Sequence, residues 1–262
     1  MLTAVYLKSG TVDAATFQQR FYTVAHERGR SEAALPTWAD NGTGVIEFGA
    51  SSGEDIRRVE IPEVPGTFQL LNVLSSRECE QFVAVTEAMG YHPDSPVSLG
   101  HDVRHNHNVN WVVDASVDEP IWARCRPHVH ERIHGALPLG INARFRFYRY
   151  REGDFFKPHT DGAWPGSRVI DRALHYDAYG DRESMFTILL FLSDDYDGGS
   201  TRFYVPNPDG FPMNTQGISV STPRGAALCF PHGSHPDHCV HAGDPITRGA
   251  KYIIRSDILY PI

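Results

Sequence analysis

The sequence predicts a mainly β protein, a sandwich or jelly roll, on three observations. From Asn142 onward polar and apolar positions alternate with period two, so that Arg144, Arg146, Tyr148 and Tyr150 share one face and Phe145, Phe147 and Arg149 the other. Strand-length apolar runs then recur to the C-terminus, at 186–192, 201–205, 226–230 and 251–260. Gly, Pro and Asp turns separate them, and no helical pattern intervenes. Helical patterns lie earlier, as supports for this β region. The expected organisation is a small α/β elaboration over residues 1–65, packed on a domain spanning 66–262 whose chemical motifs fall within 140–260.

In the N-terminal part, Ala4 to Leu7 reads as a short strand. Val12 to Gly29 reads as a helix capped by Asp13, with Phe17, Phe21, Val24 and Ala25 on the helical period. Val45 to Phe48 and Arg57 to Ile61 are strand candidates around a loose Gly49–Gly53 link. Phe68 to Val73 is a further strand. Ser75 and Glu78 form a capping box for a helix over 77–89 that Gly90 ends. Residues 91–110 are polar and read as a solvated loop, 122–133 as a second helix, and 163–183 as an irregular insertion.

Composition bounds the function. A chain of 262 residues with 41% hydrophobic and 21% charged residues can bury a substantial core. A formal charge of -8 argues against partners such as nucleic acid or an anionic membrane surface. No apolar run reaches membrane-spanning length, Met1 to Gly10 lacks a secretory pattern, and four scattered cysteines read as reduced thiols, so a cytoplasmic location is expected. Six of the 14 histidines lie between His159 and His241, which concentrates metal-ligand candidates in the β region.

The chemistry centres on His159-Thr160-Asp161. Two residues apart on extended backbone, His159 and Asp161 point to the same side and supply two thirds of a facial metal site. Two His and one carboxylate with open positions suit a non-haem Fe(II) centre. His232, His235, His238 and His241 are candidates for the third ligand. His241 is preferred because a tight connection then leads to Lys251, Ile253 and Arg255 on one face of the last strand. A cation inside a barrel is costly unless an anion meets it.

With these residues in order, the chain resembles the prolyl 4-hydroxylase-like branch of the Fe(II)/2-oxoglutarate-dependent dioxygenases, a double-stranded β-helix (jelly-roll) family. The resemblance runs through Tyr148-Arg149-Tyr150, Gly153 and Phe156, then His159-Thr160-Asp161, Thr187 and Phe191-Leu192. It continues through Gly198-Gly199-Ser200-Thr201-Arg202-Phe203, Pro223-Arg224-Gly225-Ala226, and His241 with Pro245, Gly249 and Lys251. It is strong over about 140–260, weaker over 65–140, and absent over 1–65. It implies that His159, Asp161 and His241 hold Fe(II) and that Lys251 pairs with the distal carboxylate of 2-oxoglutarate, with Arg255 as competitor. It implies further that Tyr150 contacts the cosubstrate and Thr187 lines its pocket. Ascorbate is a further candidate cofactor. Phe191 departs from relatives that carry a carboxylate-binding tyrosine there, which shifts those contacts to Lys251, Thr187 and Tyr150.

The implied reaction consumes 2-oxoglutarate and O2, releases succinate and CO2, and oxidises an unactivated C–H bond of a prolyl residue, amino acid or small natural product. Retention of the Asp161 carboxylate favours hydroxylation over halogenation. Two other classes compete: a non-catalytic jelly-roll metal-binding or lectin-like protein, and a zinc hydrolase with the same ligand types. Both leave Lys251 without a purpose. Arg146, Asn106 and Trp111 are weaker candidates for substrate contact, with a structural role favoured for each; His232, His235 and His238 are given no role.

Overall fold

In a computed structural model of the chain, residues 14–42, 44–49, 56–96, 99–207 and 214–262 are described. The expected strand at 4–7 and the Asp13 cap lie outside them. The single helix expected over 12–29 divides at Arg20 into α1 (Ala14–Arg20) and β1 (Phe21–Glu27). Tertiary contact overrides the helical period here: Phe21 is buried edge-on against the Trp111 ring at 5.3 Å, and its strand pairs antiparallel with β2 (Leu35–Asp40). Residues 45–48 form no strand; Val45 and Ile46 are buried in the core without a ladder. Then come β3 (Arg57–Glu60) and β4 (Phe68–Leu71), an antiparallel pair.

The capping box forms as expected and opens α2 (Ser76–Met89): Glu78 N–H donates to Ser75 Oγ at 3.3 Å, and Ser75 N–H to Glu78 Oε2 at 2.8 Å. The polar stretch 91–110 is not a solvated loop throughout. It carries β5 (Arg104–His105) and β6 (His107–Val112), and Asn106, Asn108 and Asn110 are buried because β6 runs between β2 and the strand at 144–151. The helix expected over 122–133 lies earlier, as α3 (Ala115–Cys125). Asp114 caps it by accepting from Ser116 N–H at 2.9 Å, and Pro127 follows its end in a short 3₁₀ turn.

The remainder is strand: β7 (Gly140–Ile141), β8 (Arg144–Arg151), β9 (Phe155–His159), β10 (Arg168–Ile170), β11 (Ala173–His175) and β12 (Arg182–Phe191). It continues as β13 (Tyr196–Gly198), β14 (Thr201–Pro206), β15 (Thr215–Val220), β16 (Ala227–Pro231), β17 (Val240–Gly243) and β18 (Ile246–Pro261). Strands β10 and β11 form a small hairpin within the stretch expected to be irregular.

Among the described residues, one sheet runs β1-β2-β6-β8-β18-β12-β16-β4-β3 and a second runs β15-β14-β17-β9-β5. Strands β8, β18, β12 and β16 face β15, β14, β17 and β9, giving the expected double-stranded β-helix. The alternation on β8 decides what each face does. Phe145 and Phe147 point outward into a core shared with Trp111 and Phe82 of α2, while Tyr148 and Tyr150 point into the barrel with Leu189, Phe203 and Phe230. A rigid, doubly covered sheet thus presents one row of side chains to the barrel interior.

Candidate metal centre and its pocket

His159 ends β9, Asp161 follows it by two residues, and His241 lies on the adjacent β17, where it is paired in register with His159. Register therefore brings together residues 82 positions apart. One ligand atom from each of His159, Asp161 and His241 lies within 4.8 Å of the others. His159 Nε2 is 3.9 Å from Asp161 Oδ1, and His241 Nε2 is 3.6 Å from Asp161 Oδ2. The backbone sets both imidazoles. His159 Nδ1 donates to Lys157 O at 2.8 Å and His241 Nδ1 to Cys239 O at 3.3 Å, so each Nε2 keeps a lone pair directed at the common centre. Phe156 stacks on the His159 ring at 3.5 Å between centroids, and Phe230 meets His241 edge-on at 4.6 Å.

The electrostatics match a divalent cation. Burial, and then the neighbouring His241, push His159 down to about 4; burial also lowers His241. Asp161 is held well below the usual carboxylate range: burial opposes ionisation, but Arg255, His241 and His159 outweigh it. Near neutral pH the cluster is two neutral imidazoles and one carboxylate, the protonation state a metal needs. The donor set therefore fits Fe(II).

The pocket beyond the triad is lined by Tyr148, Tyr150, Leu189, Thr201, Lys251, Ile253 and Arg255. Lys251 and Arg255 share a face of β18, as alternation requires, but their surroundings differ. Arg255 is committed to carboxylates, with Nη2 3.1 Å from Asp257 Oδ1 and Nε 3.5 Å from Asp161 Oδ2. Lys251 is 4% exposed and donates to Gly199 O at 2.6 Å, with no carboxylate in ion-pair range among the described residues. Gly198 and Gly199, at φ 78° and 65°, turn that carbonyl inward; a Cβ on Gly199 would collide with Ile246 and come within 3.3 Å of Lys251 Cδ. The Lys251 ammonium also lies 5.0 Å from the Phe191 ring and 5.7 Å from that of Tyr150, so Phe191 offers a ring face where a hydrogen-bonding group is lacking.

Thr187 differs from its expected place. It does not line this pocket but stands behind Asp161, its hydroxyl donating to Asp161 Oδ2 at 2.7 Å. The physical reason is register: Thr187 pairs with Asp257 and Phe230, nearer the Trp164 side than the Lys251 end. Trp111 is fully buried and packed on Phe147, and Asn106 is buried with Asn108 donating to its side-chain oxygen. Arg146 is buried, pairs with Asp257 at 3.3 Å and lies over the Trp164 ring at 4.6 Å. His232, a third-ligand candidate given no role from sequence, is buried and bonded to both Ser184 and Thr187; a histidine in a Pro-His-Gly turn after an apolar run carries no signal that would assign it this place.

The family model of the 2OG-Fe(II) oxygenase superfamily matches residues 145–256. This stretch is similar to that superfamily. The match spans β8 to β18 and includes the three facing residues and Lys251. The superfamily implies Fe(II) as metal and 2-oxoglutarate and O2 as cosubstrates of a 2-oxoglutarate-dependent dioxygenase. Among solved structures, a prolyl hydroxylase from Trichoplax adhaerens, in complex with a hypoxia inducible factor oxygen degradation domain peptide fragment, is similar at 17% identity and a TM-score of 0.50, over 75% of this chain and 83% of that one. A Pseudomonas putida prolyl-4-hydroxylase is 18% identical with a TM-score of 0.47, over 74% and 91%. The viral collagen prolyl hydroxylase of Paramecium Bursaria Chlorella virus-1 is 17% identical with a TM-score of 0.46, over 82% and 100%. The Trichoplax likeness is one of fold. No curated protein sequence matches the chain. No helix among the described residues is long and apolar enough to cross a membrane.

Proposed function

We propose that the oxygenase is a hydroxylase of the prolyl 4-hydroxylase-like branch, with His159, Asp161 and His241 as Fe(II) ligands and Lys251 as the partner of the distal carboxylate of 2-oxoglutarate. The observation that carries this reading is the pairing, in one pocket, of a convergent His–Asp–His set with a buried lysine that has no carboxylate in ion-pair range among the described residues. When bound, Fe(II) with 2-oxoglutarate and O2 supplies the oxidising power, releasing succinate and CO2 and delivering an oxygen atom to a C–H bond.

The chain's own groups bind, orient and exclude water. His159 and His241 present neutral Nε2 lone pairs fixed by main-chain acceptors. Lys251 fixes the far end of the cosubstrate, beside Gly199 O, the Phe191 and Tyr150 rings and Ile246. Arg255 is assigned away from the cosubstrate, because its guanidinium already serves Asp257 and Asp161. Tyr148 and Leu189 leave an apolar wall for a small aliphatic group of the substrate, a prolyl residue, amino acid or small natural product. Purified protein incubated with Fe(II) and 2-oxoglutarate should form succinate in a strictly 2-oxoglutarate-dependent manner, and candidate peptides and metabolites can be screened by mass for a gain of one oxygen. Hydrolysis with Zn(II) and no consumption of 2-oxoglutarate would instead establish the hydrolase reading.

A further inference from the structure

Behind Asp161 runs a hydrogen-bond chain whose polarity the structure determines at every link. The Thr187 hydroxyl donates to Asp161 Oδ2 at 2.7 Å and so spends its single proton there. The same Oγ1 lies 2.7 Å from His232 Nδ1 and must accept from it, so His232 carries its proton on Nδ1. His232 Nε2 is then a lone pair, and Ser184 Oγ, at 2.8 Å, donates to it. Ser184 Oγ in turn accepts from the Trp164 main-chain N–H at 2.9 Å. Ser184, Thr187 and His232 are each no more than 1% exposed, so water cannot stand in for any link. On the other side Arg255 Nε stands 3.5 Å from the same Oδ2. Oδ2 is thus held from behind by Thr187 while it faces His241 Nε2 at 3.6 Å, and Oδ1 faces His159 Nε2 at 3.9 Å.

We infer that Ser184, His232 and Thr187 form a one-way relay that locks the rotation of the Asp161 carboxylate, with His232 as its positioning residue, so that the carboxylate is presented to the metal centre in one orientation. This rests on the metal-site reading above. The relay starts at the backbone of Trp164, whose ring covers Arg146, so the segment after the His-x-Asp is tied to the ligand carboxylate by a rigid path. Partners that orient metal ligands commonly change metal affinity by roughly 10–100-fold when removed.

The test is Mn(II) and Co(II) binding to the full chain, by the electron spin resonance of free Mn(II) and by the visible bands of Co(II). Thr187→Val keeps the shape and deletes the donor; it should weaken Mn(II) binding by about 10–100-fold and shift the Co(II) bands, while Thr187→Ser stays near wild type. His232→Leu should weaken binding in the same sense, and His232→Gln should recover part of it, since an amide offers an acceptor and a donor at nearly the imidazole spacing. Thermal unfolding of the metal-free proteins separates lost ligand geometry from lost fold; should His232→Leu not fold, Thr187→Val decides. Wild-type affinity and an unshifted Co(II) spectrum in Thr187→Val would overturn the relay. Wild-type protein that binds Mn(II) no better than His241→Ala would overturn the metal site itself, and the relay with it.

Discussion

At the residue scale the triad should behave as a unit. His159→Ala, Asp161→Ala and His241→Ala are each expected to abolish succinate formation with the far-ultraviolet circular dichroism unchanged, since losing one ligand costs nearly as much as losing all. His238→Ala, on an exposed turn, should leave turnover intact; the reverse pattern between His241 and His238 would reassign the third ligand. Lys251 carries a prediction with a pH sign. Burial pushes its ammonium from an ordinary 10.5 down to about 8. Because the folded value lies below the unfolded one, burying the charged form costs stability at pH below about 8, and that cost fades as pH rises toward 10.5. A dianionic cosubstrate needs the charged form. Its affinity measured by calorimetry should therefore be flat below pH 8 and fall about tenfold per unit above it. Lys251→Arg, charged throughout, should bind more weakly but without this fall. Lys251→Ala removes a charged hydrogen bond worth about 1.5–3 kcal/mol, roughly one to two orders of magnitude in affinity, while Mn(II) binding survives. Loss of cosubstrate binding in Arg255→Ala, with Lys251→Ala unaffected, would reverse the assignment.

At the element scale, Asp40 at the end of β2 holds three pieces together. Its carboxylate accepts from Trp111 Nε1 on β6 at 2.8 Å, from the Asp114 N–H at the start of α3 at 3.0 Å, and from Gly42 N–H at 2.9 Å. Asp40→Ala would leave a buried indole N–H and a backbone N–H without acceptors, costing about 1–3 kcal/mol, read as a lower urea midpoint with an unchanged slope. Activity per folded molecule should persist, because Asp40 does not line the metal pocket. The legibility of elements follows the same physics. The capping box at Ser75 and Glu78 and the alternation on β8 were readable because each is set by neighbours in sequence. The helix 12–29 and the loop 91–110 were misread because their conformations are set by partners distant in sequence. Phe21 meets Trp111, and the asparagines of β6 sit between two other strands.

At the scale of the whole molecule, the large sheet of the barrel continues into the N-terminal strands. β2 pairs in parallel with β6, β1 lies outside it, and β3 pairs with β4. A chain lacking residues 1–65 would bare the β6 edge and the Phe21-facing side of Trp111. It is expected to be less soluble and to unfold at lower temperature than the full chain by differential scanning calorimetry. A 66–262 fragment as stable and active as the whole would show instead that residues 1–65 are dispensable.

The sequence alone determined that His159 and Asp161 share one side of an extended segment and where the barrel strands run, because His159-x-Asp161 and the alternation of β8 are local patterns with a fixed physical meaning on extended backbone. Tertiary structure decided the rest. Register between β9 and β17 brings His241 against His159, and the Gly198–Gly199 turn gives Lys251 a carbonyl acceptor. Pairing of β12 with β16 and β18 sets Thr187 behind Asp161 and places His232 next to it. Those relations join residues tens of positions apart through hydrogen-bond ladders and burial, and no pattern of neighbours along the chain encodes which side chain a folded strand will meet.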